Sequence, residues 1–410
     1  MSKHIELRAN TWYAVLVIPK DVRSILDKFK FFKSLETTSK KEARQRAAPL
    51  IALWKSQIDE ARGNVGAVNS EALRWKGYLS TATDVELDVL EESLLDKAQS
   101  LINTIGKDEA VEFYQVAKGY KTPLDSNYQK WKEQIILVPK TRDQTVKDVD
   151  VFIKRFKTIE KVTKQEVRKW TDEILAQGSS IGTVNRLLIS ARNYWKYLQK
   201  IDVASLDSEP LNLKGLIPTV KKKNKKGYIP FEPSAVVRLW NAALAKGEQE
   251  LADLIYLGAY TGARIEEICA LQLKDVTDSS FNIIESKTNA GVREVPIHSQ
   301  LTAIVKRLKD NSKDGYLLTG LTFNKYGDRS NNLGKKFGKL KTHLGFSSRL
   351  EVFHSIRKTL VTQLENAGVS EGVTADIVGH EKKTMTYGLY SGGNSLAIKK
   401  EALEKIQYPF

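Results

Sequence analysis

The sequence predicts a multidomain, mainly α-helical protein, with a small strand-rich module at its N-terminus and a mixed α+β domain at its C-terminus. Three observations carry this. The chain of 410 residues is too long for one ordinary compact core. Most of it repeats apolar residues at helical spacing behind N-capping residues. Strand-like β-branched and aromatic runs are confined to residues 5–35 and to about 281–297.

Residues 5–17 (IELRANTWYAVLV) read as a strand, an Ala-Asn turn and a second strand, and FKFFKSL at 29–35 as a third. Ser39 stands three residues before Glu42, a capping box opening a helix that runs through Pro49. This strand-and-helix module is placed at residues 1–62. Residues 63–140 read as further helices and loops without recognisable chemistry; they either bind a partner or space the flanking domains.

A compact helical domain is expected over 141–216. Thr163 and Glu166 form a second capping box for a helix to about residue 176, and Gly178 with two serines breaks the chain. The next helix, GTVNRLLISARNYWKYLQK, carries Arg186, Arg192 and Lys196 among Tyr194, Trp195 and Tyr197. Its periodicity puts the aromatics inside and leaves the cations as candidates to touch phosphates. Residues 217–230 read as a linker rich in lysine: Lys221, Lys222, Lys223, Lys225 and Lys226. Such a run is either merely solvated or crosses a nucleic-acid backbone and neutralises it. From 231 to 410 the domain is mixed: helices at EPSAVVRLWNAAL and EQELADLIYLGAYTG, then a β-hairpin, FNIIES–KTNAG–VREVPI, then more helices.

Lysine plus arginine number 65 against 49 acidic residues, a net charge of +16. A chain this basic is expected to meet a polyanion, most often nucleic acid. The single cysteine, Cys269, excludes an internal disulfide and fits a reducing cytoplasm. No long apolar run predicts a membrane span, and MSKHIELRAN lacks a signal-peptide core.

The C-terminal domain carries the residue types that phosphoryl transfer to a phenol would need. Guanidinium forks and imidazoles stabilise charge on phosphate oxygens, a proton donor serves the leaving alkoxide, and a cationic pocket lowers the phenol pKa. In order come TGARIEEICALQLKD with Arg264 at a helix start, Lys287 near the hairpin tip, His354 and Arg357 in HSIR, and His380 in VGH. Tyr387 and Tyr390 come last. The i, i+3 spacing puts His354 and Arg357 on one helix face. Each element alone is common; the order and combination are specific.

That combination resembles the tyrosine recombinase family, the phage-type integrases: TGxRxxExxxLxxxD at Thr261–Asp275, a hairpin lysine, HxxR, GH, and a tyrosine about nine or ten residues later. TVNRLLISARNYWKYL resembles the last helices of the family's core-binding (SAM-like) domain, and RANTWYAVLVIPKDVR the N-terminal modules of prophage and island integrases. The resemblance implies that 231–410 is the catalytic domain. Arg264 and Arg357 would clamp the scissile phosphate, His354 would assist proton transfer, Lys287 would protonate the leaving 5′ oxygen, and His380 would hydrogen-bond the phosphate. Glu267 would support the site. Tyr390, ten residues after His380 and set in LYS, would be the nucleophile, and Tyr387 would pack beside it. Ser391, Gly392 and Gly393 would leave that tyrosine on a flexible element.

The product would be a 3′-phosphotyrosyl bond, with no ATP, cofactor or metal. Double-stranded DNA, at core and arm-type sites, is the implied partner, and a homotetramer on DNA would work through a Holliday junction. A DNA-bending protein and an excisionase are the implied accessories. The setting is a prophage or other mobile element in a bacterial cytoplasm, at the nucleoid. Leu396, Ile398, Ala402, Leu403 and Ile406 form the expected apolar side of the last helix, docked on a neighbour or on its own domain. Two other readings stand beside this one: a type IB topoisomerase-like nicking-closing enzyme, and a catalytically silent DNA-binding regulator.

Overall fold

The computed structural model describes residues 4–61, 68–217, 227–284, 289–382 and 391–410. Contacts divide the chain into two units, Met1–Thr219 and Val220–Phe410.

The first unit opens with an antiparallel sheet, β1 (Ile5–Arg8), β2 (Thr11–Val17) and β3 (Lys30–Ser34), in the order β1-β2-β3. Arg8 pairs with Thr11, so Ala9 and Asn10 alone make the first turn, both at positive φ (39° and 73°). That is the mirror-image geometry whose twist suits a two-residue hairpin. Strand alternation sends Ala14, Leu16, Phe31 and Leu35 inward. A short helix, α1 (Arg23–Leu26), precedes β3; the long α2 (Lys40–Ala61) covers the sheet with Ala43, Ala47, Leu50 and Trp54. Phe31 stacks on Trp54 at 5.3 Å between centroids.

Three helices come next: α3 (Val68–Thr81), α4 (Asp84–Ile105) and α5 (Lys107–Ala117), closed around Trp75, Leu90, Leu94 and Phe113. A third core unites α6 (Tyr128–Gln134), α7 (Pro139–Phe156), α8 (Lys164–Ala176) and α9 (Ile181–Lys200). Although α6 lies before residue 141, Tyr128 and Trp131 are buried in this core; the Tyr128 hydroxyl donates to the Val146 carbonyl at 3.1 Å and Trp131 Nε1 to Asn193 Oδ1 at 3.3 Å. Tyr194 and Trp195 are buried with them.

Both expected capping boxes form by half. Ser39 Oγ accepts from the Glu42 amide at 3.5 Å, and Thr163 Oγ1 from the Glu166 amide at 3.2 Å. The glutamates do not reach back: Glu42 accepts from the Thr37 hydroxyl at 2.6 Å and from Arg46 at 2.7 Å, and Glu166 accepts from Lys169 at 2.7 Å.

The second unit is built around α11 (Gln249–Thr261), whose residues from Leu251 to Thr261 are all buried. A helix buried on every side belongs at a centre; its buried Asp253 is paired with Arg307 at 2.6 Å. Around it lie α10 (Pro233–Ala245), α12 (Ile265–Cys269), α13 (Thr302–Asp310), α14 (Asn331–His343), α15 (Phe353–Asn366) and α16 (Glu371–Val378). The hairpin β4 (Ser280–Ile283) and β5 (Arg293–Pro296) pairs Phe281 with Val295 and Ile283 with Arg293. The last helix, α17 (Leu396–Leu403), packs on β5 of its own unit through Ala402 and Leu403, with Ile406 and Tyr408 beyond it in the same core.

The apolar side expected for α17 needs one correction. Ile398 is exposed, and its neighbour Lys399 is buried with Nζ donating to the Glu294 carbonyl at 2.6 Å. The lysine stem supplies apolar cover while its head satisfies a strand carbonyl. Among the described residues, no helix is long and apolar enough to cross a membrane.

Candidate active site

Four elements of the second unit deliver polar side chains to one place. Gly262 ends α11 in the left-handed conformation (φ 57°), turning the chain so that Arg264 stands at the N-cap of α12. His354 and Arg357 occupy the first turns of α15. Gly379 ends α16, again left-handed (φ 69°), and presents His380. A Cβ on Gly379 would lie 2.9 Å from both the Ala290 carbonyl oxygen and Arg293 Nη1, so the close approach of this turn to the hairpin requires glycine.

A buried carboxylate organises the cations. Glu267 Oε2 accepts from the Arg264 amide at 2.8 Å and from Arg293 Nη2 at 3.1 Å, while Oε1 holds Arg264 Nη1 at 2.5 Å. Burial alone would raise the Glu267 pKa; the charge and hydrogen bond of Arg293, then those of Arg264, outweigh it and hold it at about 2. Arg293 also donates Nε to the Ile377 carbonyl and Nη1 to the Gly291 carbonyl, both at 2.7 Å. Arg264 Nη2 reaches the Gly379 carbonyl at 3.4 Å. The hairpin, α12 and the α16 turn are thereby tied together.

Arg357 is 2% exposed. Its Nη1 donates to the Gly262 carbonyl at 2.9 Å, whereas Nε and Nη2 are buried with no hydrogen-bond partner among the described residues. Burial, then repulsion from Arg293 and Arg264, lowers its pKa to about 9. Burial, then the charges of Arg357 and Arg264, push His380 down to about 4, and burial with the same two arginines lowers His354 as well. Both imidazoles are therefore neutral at pH 7. Three guanidiniums against one carboxylate leave a pocket of net positive charge with donors already in place. Such a pocket stabilises an anion without reorganising.

Arg264, His354, Arg357, His380 and Glu267 are thus brought together. Lys287, Tyr387 and Tyr390 lie outside the described residues, as do Lys221, Lys222, Lys223, Lys225 and Lys226. Of the other candidate DNA contacts, Lys196 is exposed and Arg192 half-buried. Arg186 is bonded through Nη1 to the buried Asp148 at 2.9 and 3.0 Å. Arg293 was missed by sequence reasoning. The signal was its parity with Val295: two residues apart on one strand, they share the inward face. Among the described residues, no group of three or more His, Cys, Asp or Glu side chains is placed to hold a metal ion.

A helical domain ahead of a mixed domain with a preformed guanidinium–imidazole pocket defines a class of proteins built to hold a phosphate-like anion. Comparison with known proteins specifies the class. Residues 231–394 match the phage integrase family, and residues 130–200 the N-terminal SAM-like domain of phage integrases. Residues 4–63 match a domain of unknown function (DUF6538). The tyrosine recombinase XerC of Bacillus pumilus (strain SAFR-032) is 23% identical over 284 residues, covering 67% of this chain and 88% of that protein. XerC of Bacillus subtilis (strain 168) is 21% identical over 287 residues, with the same coverage. Among solved structures, a lambda integrase dimer bound to a COC′ core site matches with a TM-score of 0.52 at 12% identity, over 96% of each chain. A Tn1549 transposon integrase in complex with a circular intermediate DNA matches with a TM-score of 0.50 at 20% identity, over 70% of this chain and 99% of that one. The chain belongs to the phage integrase family. It is a tyrosine-type site-specific recombinase, an enzyme of DNA strand breakage and rejoining.

Proposed function

We propose that this recombinase integrates or excises a mobile element, a prophage or genomic island, through a 3′-phosphotyrosyl intermediate. The phenol oxygen of Tyr390 attacks the scissile phosphorus, an O–P bond forms, and the bond to the 5′ oxygen breaks. Lys287 gives that oxygen its proton. His354 takes up the phenol proton and His380 donates a hydrogen bond to a non-bridging oxygen. Arg264 and Arg357 hold the phosphate, and Glu267 holds Arg264. The phosphodiester energy is kept in the tyrosyl linkage, so a 5′ hydroxyl from another duplex reverses the step without ATP.

The observation that carries this reading is Arg357. A buried guanidinium with two donors that find no partner among the described residues, repelled by two neighbouring arginines, is costly to keep unless an anion comes to it.

In the same proposal four protomers act on core sites through a Holliday junction in a bacterial cytoplasm, assisted by a DNA-bending protein and an excisionase. The helical domain and the catalytic domain clamp the core site. The N-terminal module takes the arm-type sites. Its outer sheet face supports this: Tyr13 and Phe32 stack at 4.7 Å and seat Arg8 over the Phe32 ring at 4.5 Å, a cation held where it can meet backbone phosphates.

The test is a suicide substrate, nicked DNA carrying the element's junction, incubated with wild type, Tyr390→Phe and Tyr387→Phe. A covalent adduct lost only in Tyr390→Phe is expected. Loss only in Tyr387→Phe would move the nucleophile. No wild-type adduct, on DNA that the protein binds, would favour a silent regulator.

A further inference from the structure

We infer that Asp376 is a positioning residue for strand cleavage: one carboxylate on α16 fixes both ends of the segment that carries Tyr387 and Tyr390. Asp376 Oδ1 is 2.7 Å from Lys382 Nζ. Its Oδ2 accepts from the Asn394 amide at 2.8 Å and from Asn394 Nδ2 at 2.6 Å. Lys382 lies two residues after His380, and Asn394 four after Tyr390. The two anchors therefore bracket both tyrosines, and the inference holds for either as nucleophile. It rests on the recombinase reading above.

The anchorage is built on both sides. Asp376 and Lys382 side chains are 18% and 13% exposed, so the ion pair is largely shielded from solvent and stronger than a surface pair. Gly393 is left-handed (φ 85°), and a Cβ there would lie 3.4 Å from Asp376 Oδ2, so the chain passes close against the carboxylate. Beyond Asn394, Ser395 caps α17, which is packed on β5. Asn394 is thus held from one side by α17 and from the other by Asp376.

The physical consequence concerns the phenol. A chain closed between two anchored points samples fewer conformations than one held at a single point, and Lys382 and Asn394 are the two points that Asp376 holds. The same short helix ends in Gly379 and His380, so one rigid element carries both the tether and an imidazole of the phosphate pocket. Misplacing a nucleophile by an ångström costs roughly a hundredfold in rate.

The experiment compares wild type, Asp376→Asn, Lys382→Met and the double variant on the suicide substrate under single-turnover conditions. DNA affinity, melting temperature and amide exchange are measured alongside. The adduct should form about ten- to a hundredfold more slowly in each variant, with DNA affinity essentially unchanged and the melting temperature lowered by no more than a few degrees, well above the assay temperature. The double variant should be no slower than the slower single one, because both act through one contact. Amide exchange across 383–393 should quicken while that of α11 and α15 stays as in wild type.

Equal rates in variants and a reactive wild type remove this inference alone. So does unchanged exchange across 383–393, or a rate that falls only in step with DNA affinity and melting temperature. A wild type that forms no adduct on DNA it binds removes the recombinase reading and this inference together.

Discussion

Arg293 Nη2 lies 3.1 Å from Glu267 Oε2, and the other oxygen of the same carboxylate holds Arg264 Nη1 at 2.5 Å. One acid thus serves two guanidiniums, with its own side chain 3% exposed and that of Arg293 5%. Removing its charge leaves Arg293 buried and uncompensated, which typically costs about 3–5 kcal/mol. Glu267→Gln is therefore expected to lower the melting temperature by several degrees. The folded-state pKa, about 2, is below the ordinary 4.5, so the stabilisation is complete above pH 4.5 and lost as pH falls towards 2. Denaturant midpoints of wild type should drop through that window, and those of Glu267→Gln should drop less. Parallel acid limbs would contradict the assignment.

Gly379→Ala is expected to damage the site more than the fold. The substitution forces a left-handed alanine against the Ala290 carbonyl and Arg293 Nη1, a strain of about 1–3 kcal/mol. Relief requires the turn to back away from the hairpin and carry His380 with it. Adduct formation should fall well beyond the loss of folded protein, as measured at a temperature where the variant remains fully folded. A variant that cleaves like wild type there would show that the close approach is dispensable.

Arg357→Met separates stability from activity. The wild-type guanidinium is buried, pushed down to about 9 by that burial and by two arginines, and has two donors without a partner among the described residues. An apolar chain of similar length removes all three penalties at the expense of the charge-assisted hydrogen bond to the buried Gly262 carbonyl, about 1.5–3 kcal/mol, less than the several kcal/mol of an uncompensated buried charge. The DNA-free protein should gain about 1–3 kcal/mol and melt a few degrees higher, while adduct formation disappears. A variant less stable than wild type would mean that Arg357 holds the fold and is not a cost borne for phosphate.

Local devices and ordered motifs were legible in the sequence. The Ala9-Asn10 turn, the amide half of each capping box and the hairpin are decided within a few residues, and the arginines and histidines are spaced in a regular order. Tertiary competition hid the rest. Glu42 and Glu166 abandoned their boxes for Thr37 and Lys169. Arg293 takes its meaning from Glu267, 26 residues away. Lys399 rather than Ile398 is buried because a strand carbonyl waits for its amine, which helical periodicity does not register. Asp376 is a plain helical acid until Lys382 and Asn394 are seen on either side of it.

His380 supplies a direct measure of the pocket's charge. Burial and then the Arg357, Arg264, His354 and Arg293 side chains depress its pKa from 6.5 to about 4. Between those values the unfolded chain binds a proton that the folded site refuses, so this group contributes stability near neutrality that is lost as pH falls from about 6.5 towards 4. A phosphate oxygen in the pocket reverses the local field and favours the imidazolium, so the pKa must rise on binding. Binding then takes up a proton, and affinity increases as pH falls through the interval between the free and bound values. The imidazole carbon resonances of His380, tracked by NMR against pH, should show a midpoint near 4 in the free protein and a higher one with a short core-site duplex. A midpoint near 6.5 without DNA would mean that the arginines do not act on this imidazole, and an unmoved midpoint with DNA would mean that no phosphate reaches it.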